Sequence, residues 1–152
     1  MGQAPTAELC DAIIDAWGFC GLVPKRVIAS NDFGNVLVED VAGVVWRICP
    51  EDLSCNCVAQ DVEGLDRLWR DEDFLRDWKM ERLVAAARET CGELSEGAVY
   101  HLVVPAPLGG RYAPENIRIS PLLSVVRVAG SIQRQIEALP DGARVHLTVI
   151  DD

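Results

Sequence analysis

Three cysteines, Cys49, Cys55 and Cys57, fall within nine residues of the stretch WRICPEDLSCNC, beside Trp46. Such a cluster could hold a metal, run thiol chemistry, or pack as small apolar side chains. Structural zinc sites pair their ligands two to four residues apart, twice over, or add two histidines. Here the intervals are five residues and one, and Cys91 stands apart in a helical stretch. A C-x-x-C redox pair is absent. In an extended run Cys55 and Cys57 share a face, so both are expected to pack inward as core. Metal and regulatory-thiol readings stay open beside that one.

The other chemistry-bearing residues give less. His101 lies between Tyr100 and Leu102 and His146 between Val145 and Leu147, as strand residues on the face opposite their apolar neighbours would. Two lone strand histidines read as surface or satisfied structure rather than as acid–base machinery. Gly109-Gly110 lacks the lysine and helix start of a phosphate-binding loop and the third glycine of a dinucleotide fingerprint. The pairs Glu39-Asp40 and Glu51-Asp52 would diverge to opposite faces of a strand. No enzyme, cofactor or metal signature rises above background, and the chain is expected to be neither an enzyme nor a metalloprotein.

The elements that would position these residues follow from periodicity and turn chemistry. Residues 7–17 carry Leu9, Ile13, Ile14 and Trp17 on one helical face. Four β-rich runs follow, Arg26–Ser30, Val36–Glu39, Val44–Cys49 and Cys55–Ala59, joined by short turns such as Asn31–Asn35 and Ala42-Gly43. Short connections of this kind predict an antiparallel meander. From Asp61 the period becomes helical, with Val62, Leu65, Leu68 and Trp69 on one stripe. Phe74, Leu75 and Trp78 continue it after the acidic break Asp71–Asp73. Met80, Leu83, Val84, Ala87 and Cys91 mark a further helix, stopped by Gly92.

Val99–Val104 is expected to be a strand. Ser120-Pro121 reads as N-cap and first residue of a last helix, whose apolar face runs from Leu122 to Leu139. Gly130 inside that helix costs about 1 kcal/mol against alanine, which close packing could justify. Arg144–Ile150 completes the set as a strand. The order implies an α+β fold: a mostly antiparallel sheet, meander plus two later strands, with helices packed against it. At 152 residues one domain is expected, spanning 1–152.

The start of the chain has Glu8, Asp11 and Asp15 where a secretion signal would be apolar, so a reducing cytoplasm is the expected compartment. Gly2 and Thr6 match a loose acylation pattern, whereas the plainer reading makes Thr6 a helix cap. The longest uncharged run, Ala98–Gly110, is too short and too proline-broken to span a membrane. Net charge is −10, from 24 acids against 14 bases, which disfavours nucleic acid and anionic lipid as partners and favours a basic protein.

That charge concentrates between Asp61 and Asp77, where seven acids face three arginines. The segment reads either as the solvated side of amphipathic helices or as an acidic docking surface with aromatic anchors. The docking reading assigns the contact to Asp61, Glu63, Asp66, Trp69, Asp71, Glu72, Asp73 and Asp77. Reversing Asp71, Glu72 and Asp73 to lysine is expected to spare folding and slow association. The alternative contact is the glycine-rich loop Leu108, Gly109, Gly110, Arg111 and Tyr112.

Several strings recur together: Asn31-Asp32-Phe33-Gly34-Asn35-Val36, Val45–Glu51 with Leu53-Ser54-Cys55, Asp77-Trp78, Pro107–Gly110 with Tyr112, and Leu139–Ala143. On these residues the chain, from about Ala12 to Ile150, resembles the bacterial domain of unknown function found in immunity proteins against type VI secretion DNase toxins. The resemblance implies a protein that binds a co-produced, basic nuclease toxin in the cytoplasm and blocks it, with no catalysis and no cofactor. It also lends Cys49 and Cys55 a shared structural role. Longer members resembling this one carry an extra domain ahead of the shared region, where this chain has about eleven residues. A protein-interaction module with a non-toxin partner is the alternative, and a small metal or thiol protein a further one.

Overall fold

The computed structural model describes residues 6–140 and 142–144. The chain opens with α1 (Thr6–Trp17), then builds β1 (Pro24–Ser30), β2 (Val36–Asp40), β3 (Val45–Cys49) and β4 (Ser54–Ala59). These four pair antiparallel in the order β1-β2-β3-β4, the predicted meander. The turns act as the sequence implies. Asn31 Oδ1 accepts from the Phe33 and Asn35 backbone amides, and Asp40 Oδ1 accepts from those of Ala42 and Val44.

Three helices follow: α2 (Val62–Leu68), α3 (Glu72–Lys79) and α4 (Glu81–Cys91). Then β5 (Ala98–Leu102) pairs with β6 (Ile117–Pro121) in a separate antiparallel ribbon, and α5 (Leu122–Ile136) follows. The α+β reading holds.

Both faces of the four-stranded sheet are covered, so every residue of β2 is buried. Val36, Val38 and Ile48 pack with Leu9 and Ile13 of α1 and Val125, Val126 and Ala129 of α5. On the other face Leu37 and Val45 meet Leu65 of α2 and Trp78 of α3. A third cluster joins Phe33 to Val84 and Ala87 of α4 and to Tyr100, Leu102 and Ile117 of the ribbon. Trp17, wholly buried, donates its indole N–H to the Val126 carbonyl, which ties α1 to α5. Gly130 answers the question its sequence position raises. A Cβ there would lie 2.6 Å from the Ala16 Cβ and nearer still to the Ala16 carbonyl oxygen, so the glycine lets the two helices touch.

Two expectations are corrected. Ser120-Pro121 does not start the last helix. Ser120 pairs with Val99 in β6, and Pro121 occupies the cap position with φ −60° and ψ 140°, leaving Leu122 as first helical residue. Proline suits the last strand position because it has no N–H to give to a ladder. The Leu122 amide instead donates to Gly97. The partner of β5 is therefore β6, in a stretch to which the sequence assigns no element before Ser120. The strand expected over Arg144–Ile150, with His146, lies outside the described residues, apart from Arg144 itself.

Cys57 is the second correction. Cys55 is half-buried against the α1/α5 core as expected, but Cys57 is exposed. β4 is the last strand of the sheet, so a side chain sharing the face of Cys55 runs out beyond the edge of the core. Cys49 is half-buried at the far end of β3. Burial pushes the Cys49 thiol up to about 11 and that of Cys55 up to about 12, which makes both poor nucleophiles and poor metal ligands. His101 is half-buried with Nε2 2.9 Å from Ser120 Oγ, a satisfied strand histidine, and burial pulls its pKa below the ordinary value.

Candidate functional site: one cleft between the acidic helix and the glycine loop

The acids of 61–77 divide by the work they do locally. Asp61 caps α2, its Oδ1 accepting from the Gly64 amide at 2.7 Å. Asp71 caps α3, accepting from the Asp73 and Phe74 amides at 2.9 and 3.2 Å. The acidic break is therefore a helix boundary, with Glu72 and Asp73 in the first turn of α3, where the helix dipole favours anions. Asp73 also pairs with Arg76 at 3.1 Å, a fully solvated contact worth little. Among the described residues, Glu63, Asp66 and Glu72 are exposed with no side-chain partner. The expectation that reversing Asp71 would spare folding does not survive, because that carboxylate is a cap.

Trp69 is half-buried rather than a projecting anchor. It stands edge-on to Phe74 and Trp78, with centroids 5.4 and 5.7 Å away, and the triangle locks α2 to α3. Trp78 closes the core beneath it.

Asp77 reaches across to the sheet. Its Oδ2 accepts from Arg47 Nη1 at 2.6 Å. The Arg47 guanidinium also lies 5.2 Å from the Trp78 ring centroid and 6.0 Å from that of Phe74. Its Nε donates to Asn35 Oδ1 at 3.0 Å, and Asn35 Nδ2 donates to both Glu51 oxygens at 3.1 and 2.9 Å. Asn35 is wholly buried, and Glu51 is 5% exposed. A continuous polar chain thus runs from an interior carboxyl to the surface of α3. Burial holds the Glu51 carboxyl up to about 7, far above its ordinary 4.5.

The sequence reading missed Asn35, Arg47 and Glu51 as members of a site. The signal available was polar side chains inside apolar strand runs, since Asn35 directly precedes Val36-Leu37-Val38 and Arg47 sits between Trp46 and Ile48.

The alternative loop has its own scaffold. Gly109 adopts φ 91°, and a Cβ on Gly110 would overlap the Val104 carbonyl, so both positions require glycine. Asn116 clamps the loop: its Nδ2 donates to the carbonyls of Val104 and Arg111, and its Oδ1 accepts from the Val104 amide. Leu108 packs down onto the α1/α5 core. Tyr112 stays half exposed and donates its phenol to Asp52 Oδ1 at 3.1 Å.

The two candidate surfaces meet. An open cleft of about 930 Å³ is lined on one side by Glu72, Leu75, Arg76 and Asp77 of α3 and by the Lys79–Leu83 corner into α4. The far side is Tyr112, and the floor is Arg47, Cys49, Glu51 and Asp52. Of the sequence-predicted residues, Glu72, Asp77 and Tyr112 border it. Asp61, Glu63 and Asp66 on α2 do not, nor do Trp69, Asp71, Asp73 or the loop residues Leu108–Arg111. The cleft mixes five carboxylates with four cations. Among the described residues there is no cluster of histidine, cysteine and carboxylate fit for a metal ion, and no helix long and apolar enough to cross a membrane.

A crystal structure of Atu4351 from Agrobacterium tumefaciens superposes with a TM-score of 0.59 at 18% identity, over 85% of this chain and 65% of that one. The likeness is one of fold, and this chain spans less than two thirds of that protein's length. No curated protein matches. Residues 59–133 match the family described as T6SS immunity protein Tdi1, C-terminal. The matched span covers α2 to most of α5, including Asp77-Trp78 and the Pro107–Tyr112 loop, while Asn31–Cys55 and Leu139–Ala143 lie outside it. That match takes in just under half of the chain, and it is a match to the family that the sequence resemblance points to.

Proposed function

We propose that the protein is an immunity protein that binds a DNase effector of type VI secretion in the cytoplasm and holds it inactive, with no catalysis and no cofactor of its own. The observation that carries this reading is the family match over residues 59–133, which takes in the acidic helices and the glycine loop together. Charge supports the nuclease as partner. An enzyme that acts on DNA offers cations to phosphate, and a protein of net charge −10 can occupy the same surface.

The proposed contact is the rim of the cleft, Glu72, Asp77 and Tyr112, with Glu63 and Asp66 extending the acidic face along α2. Leu108–Arg111 act behind it by setting where Tyr112 stands. Asp61, Asp71 and Asp73 add charge while shaping their helices, and Trp69 contributes through the aromatic triangle.

The test is plasmid cleavage by the nuclease-like product of the adjacent gene, with and without an equimolar amount of this protein. Inhibition together with co-elution of the two proteins is the expected result. Continued cleavage with no complex would overturn the reading.

A further inference from the structure

Glu51 is buried, carries no ion pair among the described residues, and is reached by neutral donors, its own backbone amide and Asn35 Nδ2, the latter within hydrogen-bond distance of both carboxylate oxygens. The oxygen of that same Asn35 side chain accepts from Arg47 Nε, and the far end of Arg47, which lies near the Phe74 and Trp78 rings, donates to Asp77 of α3. An amide that donates with one end and accepts with the other passes a change at Glu51 directly to Arg47.

We propose that Glu51 works as a proton-operated catch: ionised, it draws Arg47 inward through Asn35, and protonated, it releases Arg47 to Asp77 and so resets α3 along the rim of the cleft. The proton is exchanged with water entering the cleft, which Glu51 lines. It comes to rest on one Glu51 oxygen, and that oxygen then stops accepting from Asn35. The amide loses its ionic partner, and its grip on Arg47 Nε weakens.

The groups that act on Glu51 fit this role. Asp52, on the same turn, pushes its pKa upward, and Arg47 on β3 pulls it down. Cys49 on β3 and Tyr112 from the loop are its other titratable neighbours, and both stay protonated near neutrality because their pKa values are raised. With the carboxyl held up to about 7, the catch would change state within the ordinary cytoplasmic range. The device belongs to the fold whether or not a nuclease docks on the cleft.

The experiment is an NMR titration of the isotope-labelled full chain between about pH 5 and pH 9, a range bracketing the neutral titration window. The Glu51 carboxyl carbon, the Asn35 side-chain amide, Arg47 Nε–H and the Trp78 indole N–H are followed. All four are expected to move with one shared midpoint near neutrality. His101, in the separate ribbon and shifted downward by burial, titrates lower and serves as an internal contrast.

In Glu51→Gln the shared movement of Asn35, Arg47 and Trp78 should vanish. In Arg47→Lys, which keeps the charge but lacks the Nε donor, Glu51 should still titrate while Trp78 no longer follows. The proposal is overturned if Glu51 does not titrate in this range, if it titrates while Arg47 and Trp78 stay still, or if Trp78 keeps following in Arg47→Lys. The wild-type titration decides the matter even if a variant fails to fold.

Discussion

Arg47 and Asp77 meet at 2.6 Å from opposite sides of an unequal interface: the arginine side chain is 10% exposed, the aspartate 67%. The pair joins a central strand to an exposed helix, and each end has different support. Arg47 is fixed by Asn35 and two aromatic rings, whereas Asp77 has only Arg47.

That asymmetry predicts unequal mutant costs. Asp77→Asn keeps a hydrogen-bond acceptor and should cost roughly 1 kcal/mol or less, as expected for a partner facing solvent. Arg47→Ala strips the buried Asn35 oxygen of its charged donor and removes the guanidinium that packs near the Phe74 and Trp78 rings, so about 2–4 kcal/mol should be lost. Urea unfolding of the two variants and of the double variant measures both costs and their coupling. Equal losses would mean that the arginine's interior contacts contribute nothing.

Glu51 predicts an inverted pH dependence. Its pKa is about 7 folded against an ordinary 4.5, so the native state binds the proton more tightly than the unfolded chain does. Stability from this group is fully present below about pH 4.5 and is lost as pH rises through about 7, a swing of about 3 kcal/mol. Glu51→Gln removes the titration. It should be more stable than the parent by about 1–3 kcal/mol at pH 8 and close to it at pH 4.5. Chemical denaturation at both values checks the sign, and a variant less stable than the parent at pH 8 would refute it.

Gly130 sets two effects against each other. Alanine gains about 1 kcal/mol of helix propensity, but its Cβ would sit 2.6 Å from the Ala16 Cβ and must push α1 from α5. Overpacking of this kind costs about 1–3 kcal/mol, so Gly130→Ala should be net destabilising. The pair Gly130→Ala with Ala16→Gly should recover part of the loss. Thermal unfolding of the single and double variants tests both statements.

How much of this was legible in the sequence differs by element, for physical reasons. The meander could be read because Asn31–Asn35 and Asp40–Gly43 carry their own turn chemistry. The core faces of α4 and α5 could be read because their periodicity is local. β6 was not legible: Ile117–Pro121 is five residues long, and Ser120-Pro121 mimics a helix start that only the pairing with Val99 overrules. The acidic helices were visible as a surface, but the split between capping and free carboxylates depends on where α3 begins. The floor of the cleft was invisible, because Glu51 acquires its partner Asn35 from sixteen residues away and Arg47 finds Asp77 thirty residues on.

The split among the acids makes the docking test sharper than reversing Asp71, Glu72 and Asp73 together. Asp71→Lys removes two backbone acceptor contacts at the start of α3 and puts a cation at the positive end of a helix, so about 1–2 kcal/mol of stability should go with it. A weakened complex in that variant would say nothing about contact. Glu63, Asp66 and Glu72 have no such duty, and replacing each by lysine changes net charge by +6 while leaving both caps in place. That variant should unfold within about 0.5 kcal/mol of the parent. Its association with the proposed nuclease partner, followed by stopped-flow fluorescence, should slow by about 10-fold or more at low salt, with the difference shrinking as salt is added. If the on-rate is unchanged while the fold is intact, the acidic face is solvent coating, and the contact moves to Tyr112 and the loop behind it.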